Sequence, residues 1–285
     1  MSRQPRIEFP GAFYHVYSRG NERQDIFRSE DDRRAYLSLL AKTAARFSWE
    51  CLSYCLMDNH YHLLIRTLKA TLSRGMHWLN GVYTQRFNRK HGRVGHLFQG
   101  RFKDTLVQDD GHLAVAHRYV ALNPVEAGMT ARPEDWAWSS YRAMVGLEDP
   151  ASCLSLDAAL ASFGTCRTSA ARKYTAFVLA GVGAAPPDIA VPIFGDDGFI
   201  EEQRKRLGGG ILEPEYPLEH RLGPRPPLEE IIPTVGRLRA DGVAERNAGA
   251  VRAVLEFGYT QKDVADYIGL HYSRISKMLA ESRRT

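Results

Sequence analysis

The spacing of apolar and polar positions changes several times along the first half of the chain, and each change marks an element. Phe13 to Ser18 is aromatic and β-branched and follows Pro10-Gly11, which predicts a strand closed by Arg19-Gly20-Asn21. Ser29 to Phe47 carries leucine, alanine and tyrosine at helical spacing behind an acidic Ser-Glu-Asp-Asp start suited to a helix N-terminus. Cys51–Met57 and His60–Ile65 read as two strands of a hairpin around Asp58-Asn59. A helix is predicted over Thr71–Asn88, a strand within Leu97–Leu106, and a helix over Asp109–Leu122 stopped by Pro124. The order β-α-β-β-α-β-α suggests an α+β domain, a mostly antiparallel sheet covered by helices.

Beyond this the pattern weakens and then sharpens again. Residues 125–180 look helical, with Trp136, Trp138 and Tyr141 packing as a lid on the first domain, and residues 181–235 are rich in Pro, Gly and charge. Ala248–Phe257, a segment starting at Thr260, and His271–Leu279 are expected helices, with Val264, Ala265, Ile268, Ile275, Met278 and Leu279 inward. Two short helices joined by Gly269-Leu270 describe a helix-turn-helix, with His271, Tyr272, Ser273, Arg274 and Lys277 facing outward to reach DNA. These divisions suggest a domain over 1–145, a helical extension over 146–180, a linker or irregular segment over 181–235 and an all-α DNA-binding domain over 236–285.

Charge narrows the function class. The net charge of +5 falls on residues 1–150, which hold 21 Lys and Arg against 16 Asp and Glu, while residues 151–285 hold 17 of each. From Asn59 to Lys103 there are nine basic residues and no acidic one. Ordinary solvated faces mix both signs, so this stretch reads as a surface for phosphates. Arg66, Lys69, Arg74, Arg86, Arg89, Lys90, Arg93, Arg101 and Lys103 are the candidate contacts, joined by Arg19, with Phe98 or Phe102 able to stack on unpaired bases. No apolar run of about 18 residues argues for a membrane span, the basic N-terminus leads into no apolar h-region, and four cysteines without a framework fit a cytoplasmic protein. Cys51 and Cys55 read as buried packing.

Strand alternation puts His60 and His62 on one face and Tyr61 on the other, so two imidazoles can share one metal ion. Tyr119 and Asn123 are four apart on a helix and share its face with His112 and Val115. The segments Tyr14–Asn21, Cys55–Leu64, Gly95–Lys103 and Tyr119–Val125 together resemble the REP-associated tyrosine transposases, single-tyrosine members of the HUH nucleases related to small insertion-sequence transposases. The resemblance spans about residues 5–145.

The resemblance implies a ferredoxin-like HUH domain in which His60, His62 and a third polar side chain hold Mg²⁺ or Mn²⁺, and Tyr119 is the nucleophile. Asn123 stands where the insertion-sequence enzymes use a glutamine, so it is the candidate third ligand at a position where this sequence departs from the pattern. Imidazoles suit manganese better than magnesium, so Mn²⁺ is expected to serve at least as well. The implied substrate is single-stranded DNA flanking a repeat hairpin, with no nucleotide cofactor, and the implied assembly is a monomer or a homodimer. The alternative is a regulator that binds DNA through the helix-turn-helix without cutting it.

Overall fold

The computed structural model describes residues 6–109, 111–187, 189, 191–206, 227–232, 240–255, 259 and 261–282. They form two units, one over residues 6–210 and one built from the C-terminal segment beyond it. The first unit opens with β1 (Ala12–Arg19) and α1 (Glu30–Phe47), followed by β2 (Trp49–Leu56), β3 (His60–Thr67), α2 (Leu72–His91), β4 (Lys103–Val107) and α3 (Gly111–Glu126). Short helices α4 (Tyr141–Met144) and α5 (Leu156–Leu160) lead to α6 (Arg167–Leu179), β5 (Ile193–Phe194) and α7 (Asp197–Arg206). The sheet runs β2-β3-β1-β4-β5, antiparallel except for the β4–β5 pair.

Local sequence explains the helix starts and stops. Ser29 caps α1 in a reciprocal box, its hydroxyl accepting from the Asp32 amide while the Asp32 carboxylate accepts from the Ser29 amide, worth about 1 kcal/mol. Lys90 and His91, from the last turn of α2, also reach the buried Asp32 carboxylate at 2.8 and 3.0 Å. α2 ends at Gly92, which takes the left-handed conformation (φ 61°). Gly75 lets α2 cross the sheet, because a Cβ there would lie 2.0 Å from the Trp49 indole.

The two faces of the sheet carry different loads. One packs α1 and α2 through a core that includes Tyr14, Tyr36, Leu40, Tyr61, Leu63 and Tyr83. Tyr61 is fully buried there and donates to Asn80 Oδ1 at 2.8 Å, as strand alternation requires. The other face meets α3. The free edge of β2 is covered by residues 138–155: Leu56 N–H donates to Trp138 O, Ser140 N–H to Tyr54 O and Ser155 N–H to Cys51 O, which removes an exposed strand edge. Trp136 and Tyr141 pack as expected for a lid, with the Trp136 indole donating to Leu56 O at 3.2 Å.

Three expectations need correction. Pro124 lies inside α3, not beyond its end; the helix continues to Glu126 and Gly128 closes it in the left-handed region. The lost proline amide leaves the Val120 carbonyl without its helical donor, a defect the buried helix tolerates. The strand expected within Leu97–Leu106 begins only at Lys103 and runs one residue past that stretch, to Val107, with Gly100 at φ 75° breaking the extended chain before it. The stretch 181–235 is not all irregular: β5 pairs with β4, and α7 follows it.

The C-terminal unit comprises α8 (Leu228–Ile231), α9 (Ala240–Leu255), α10 (Gln261–Ile268) and α11 (Tyr272–Ser282). Val264, Ala265, Ile268, Ile275, Met278 and Leu279 pack with Ile231, Ile232, Ala250 and Ala253 into a core of their own. Gly269 turns the chain between α10 and α11 at φ 68°. Arg274 and Lys277 are exposed; Gly258, Thr260 and the side chains of Tyr272 and Ser273 lie outside the described residues. Among the described residues no helix is long and apolar enough to cross a membrane.

Candidate active site

β1, β3 and α3 converge on a cleft of about 320 Å³ lined by His60, His62, Tyr119 and Asn123, with Arg19, Arg101 and Lys103 at its walls. Alternation along the central strands supplies the floor. Tyr17 pairs with His62 and Arg19 with His60 across β1–β3, so the even positions of β3 and the odd positions of β1 share this face. The hairpin tip is fixed from outside: Asp58 O accepts from the amides of Ile26 and Phe27, its carboxylate pairs with Arg33, and Asn59 O accepts from Gly20 N–H at 2.8 Å. His60, the first residue of β3, is thereby held at the cleft mouth.

The donor groups are arranged with polarity. His60 Nδ1 lies 2.7 Å from Asn59 Oδ1, an acceptor, so the ring donates from Nδ1. Its Nε2 is then a lone pair, 3.4 Å from Asn123 Oδ1. His62 is buried and its Nδ1 lies 2.8 Å from His15 Nε2, the two rings stacked with centroids 5.1 Å apart. The Tyr119 ring stands edge-on to both, 5.4 Å from His15 and 5.6 Å from His62.

Burial sets the proton affinities. It holds His60 below the usual histidine range, aided by the nearby Arg19 charge and opposed by Asn123. Burial, with the His15 and His60 rings and Arg19, takes His62 well below that range. Burial alone brings His15 to about 3. All three imidazoles are therefore neutral at neutral pH, the state a metal ligand requires. Burial also raises the Tyr119 phenol, while Asn123 and Arg19 pull it down.

Several expected DNA contacts sit elsewhere. Arg66 lies at the far end of β3 and pairs with Glu50 at 3.4 Å. Arg74, Arg86 and Arg89 are exposed on α2, which packs on the opposite face of the sheet. Lys90 is engaged with Asp32 and Ser29, and Arg93 with Gln24 at 3.1 Å. Phe98 and Phe102 are buried, Phe98 edge-on to Tyr61 and Phe102 beneath the Arg6 guanidinium. Their rings are committed to the core, which corrects the stacking role expected of them. Cys51 and Cys55 are buried free thiols.

Sequence reasoning missed His15, Tyr17, Ser18, Gln99 and Ile189, all of which line the cleft. The signal for His15 and Tyr17 was available as period-two alternation against Tyr14 and Val16. Ile189 had none, since it reaches the cleft only because Thr105 donates to its carbonyl at 2.8 Å. Among the described residues no three His, Cys, Asp or Glu side chains are grouped to hold a metal ion; His60 and His62 have an amide, Asn123, as their third neighbour.

Residues 9–123 match the family described as "Transposase IS200 like". This stretch runs from the entry to β1 through Tyr119 and ends on Asn123. Residues 9–123 are thus similar to the IS200-like transposases, over less than half of the chain. A Haemophilus influenzae protein assigned by name to the REP-associated tyrosine transposases is 26% identical over 124 residues, covering 40% of this chain and 70% of that protein. The family and the relative matched are both named as transposases. A solved structure described as a REP-associated tyrosine transposase bound to a REP hairpin aligns with a TM-score of 0.45 and 18% identity, covering 52% of this chain and 88% of that one. That likeness is too remote to place any residue of this chain.

Proposed function

We propose that this chain cuts and rejoins single-stranded DNA beside hairpin-forming repeats, with Tyr119 as nucleophile and a 5′-phosphotyrosine as intermediate. The observation that carries the reading is the meeting of Tyr119 with His60, His62 and Asn123 in one cleft walled by Arg19, Arg101 and Lys103. Tyr119 Oη attacks the scissile phosphorus, the P–O3′ bond breaks, and the phenol proton ends on the departing 3′ oxygen. The tyrosyl phosphodiester retains the bond energy, so a second 3′-hydroxyl can reverse the step without a nucleotide cofactor. Arg19 lowers the proton affinity of the phenol, and Arg101 and Lys103 are the exposed cations for the phosphate backbone.

The cleft suits a divalent cation, Mg²⁺ or Mn²⁺, held by His60, His62 and Asn123. Two donors each about 2.1 Å from one ion stand about 3.0–3.4 Å apart in octahedral or tetrahedral geometry. His60 Nε2 and Asn123 Oδ1, two facing lone pairs at 3.4 Å, fall in that range. Such an ion supplies charge neutralisation at the scissile phosphate and orients it for in-line attack. The C-terminal unit acts as a helix-turn-helix that adds a duplex contact through α11, with Arg274 and Lys277 outward. This substrate places the protein with the chromosome in the cytoplasm.

A hairpin oligonucleotide with a single-stranded flank, labelled at either end and incubated with Mn²⁺ or Mg²⁺, tests the reading. Cleavage with protein trapped on the 5′ side supports it. Tight binding without cleavage under either metal would overturn it in favour of a non-cutting regulator.

A further inference from the structure

The two cleft histidines are held by unlike partners. His60 Nδ1 faces Asn59 Oδ1, which can only accept, and this alone fixes the ring with Nε2 bare. His62 Nδ1 faces His15 Nε2 at 2.8 Å, an atom that can either accept or donate. No further hydrogen bond fixes the role, because His15 Nδ1 is buried with no partner among the described residues. Two arrangements of the one shared proton therefore compete. If His15 donates from Nε2, His62 carries its own proton on Nε2 and cannot ligate. If His15 accepts, His62 is Nδ1–H, its Nε2 lone pair is free, and His15 carries an orphaned Nδ1–H.

We propose that His15 is a positioning residue for the cleft: by accepting from His62 Nδ1–H it releases the His62 Nε2 lone pair to a divalent cation. This rests on the cation reading proposed for the site. Without a cation the first arrangement is favoured, since it leaves a lone pair unsatisfied in place of a buried N–H, and orphaned buried N–H groups are the rarer defect. Binding a cation shifts both rings together, His62 from Nε2–H to Nδ1–H and His15 likewise, with no proton gained or lost by the pair. Acceptors behind metal-ligating histidines commonly set ring orientation and tautomer in this way. Here the acceptor is a second histidine, stacked on the first at an interplanar angle of 5°, so the tautomer follows occupancy of the cleft.

Mn²⁺ titration of the full chain, followed by electron paramagnetic resonance, tests the proposal with wild type, His15→Phe and His15→Gln. Phenylalanine keeps the stacked ring but removes the acceptor; glutamine restores an acceptor oxygen near the Nε2 position. The expected result is Mn²⁺ affinity about 10- to 100-fold weaker in His15→Phe and largely recovered in His15→Gln. His15→Phe binding within twofold of wild type would overturn the role of His15 while leaving the cation site standing. Failure of wild type to bind Mn²⁺ would overturn the cation reading and this proposal with it. Should His15→Phe not fold, imidazole nitrogen NMR of wild type decides: saturating Mg²⁺ must leave both His62 and His15 as Nδ1–H, and His62 remaining Nε2–H contradicts the proposal.

Discussion

The same strand, β3, builds two unlike surfaces from alternate residues. Tyr61 and Leu63 enter a dry core where the Tyr61 and Tyr83 hydroxyls are satisfied by Asn80 and the Ile26 carbonyl. His60 and His62 face a side on which polar groups are buried, and two ring nitrogens there, His15 Nδ1 and His117 Nε2, have no partner among the described residues. A folding core does not need imidazoles with one nitrogen unpaired, and each such nitrogen lowers stability. The core face has an unpaired group of its own among the described residues, Tyr36 Oη. The comparison therefore teaches that the two faces differ in the kind of group left unpaired, a phenol on one and imidazole nitrogens, which can ligate a cation, on the other.

Breaking the chemical face gives the largest expected effect. His60→Ala removes a proposed cation ligand, and cleavage of the hairpin substrate should fall by at least about 10³-fold. Binding of the same DNA, measured by fluorescence anisotropy, should stay within about threefold. Breaking the core face does the reverse. Gly75→Ala drives a methyl group into Trp49 and should cost about 1–3 kcal/mol in denaturant unfolding. Cleavage by the folded fraction should remain unchanged.

Acidity sharpens the contrast. Burial places His117 at about 3, below the ordinary 6.5, so the unfolded chain binds a proton that the folded chain refuses between those values. Stability from this residue is present above about pH 6.5 and lost as pH falls toward 3. His117→Gln should flatten that part of the stability curve, read by thermal melting from pH 7 to pH 4. The smallest effect belongs to the cleft walls. Lys103→Ala should reduce the salt slope of DNA binding by about one without altering the melting temperature.

How much of this was legible in the sequence depended on how local the cause is. The Ser29 cap and the opposed orientations of His62 and Tyr61 follow from three or fewer residues, and both are present. The inward positions of α10 and α11 also follow from helical period. The extent of α3 depended on whether tertiary packing would carry a helix past Pro124, which no local rule decides. Phe98 read as a stacking residue because its pattern shows an aromatic beside cations, while its burial depends on Tyr61 and Tyr83 from distant elements. His15 was passed over because its partner, His62, lies 47 residues away and only the β1–β3 register brings them together.

The central claim is that Tyr119 carries the covalent chemistry. Digestion of the trapped protein–DNA adduct followed by peptide mass spectrometry reads the attachment site directly. The account predicts a single nucleotide-modified peptide containing Tyr119, absent from Tyr119→Phe. An adduct on any other residue, or one that persists undiminished in Tyr119→Phe, would contradict it.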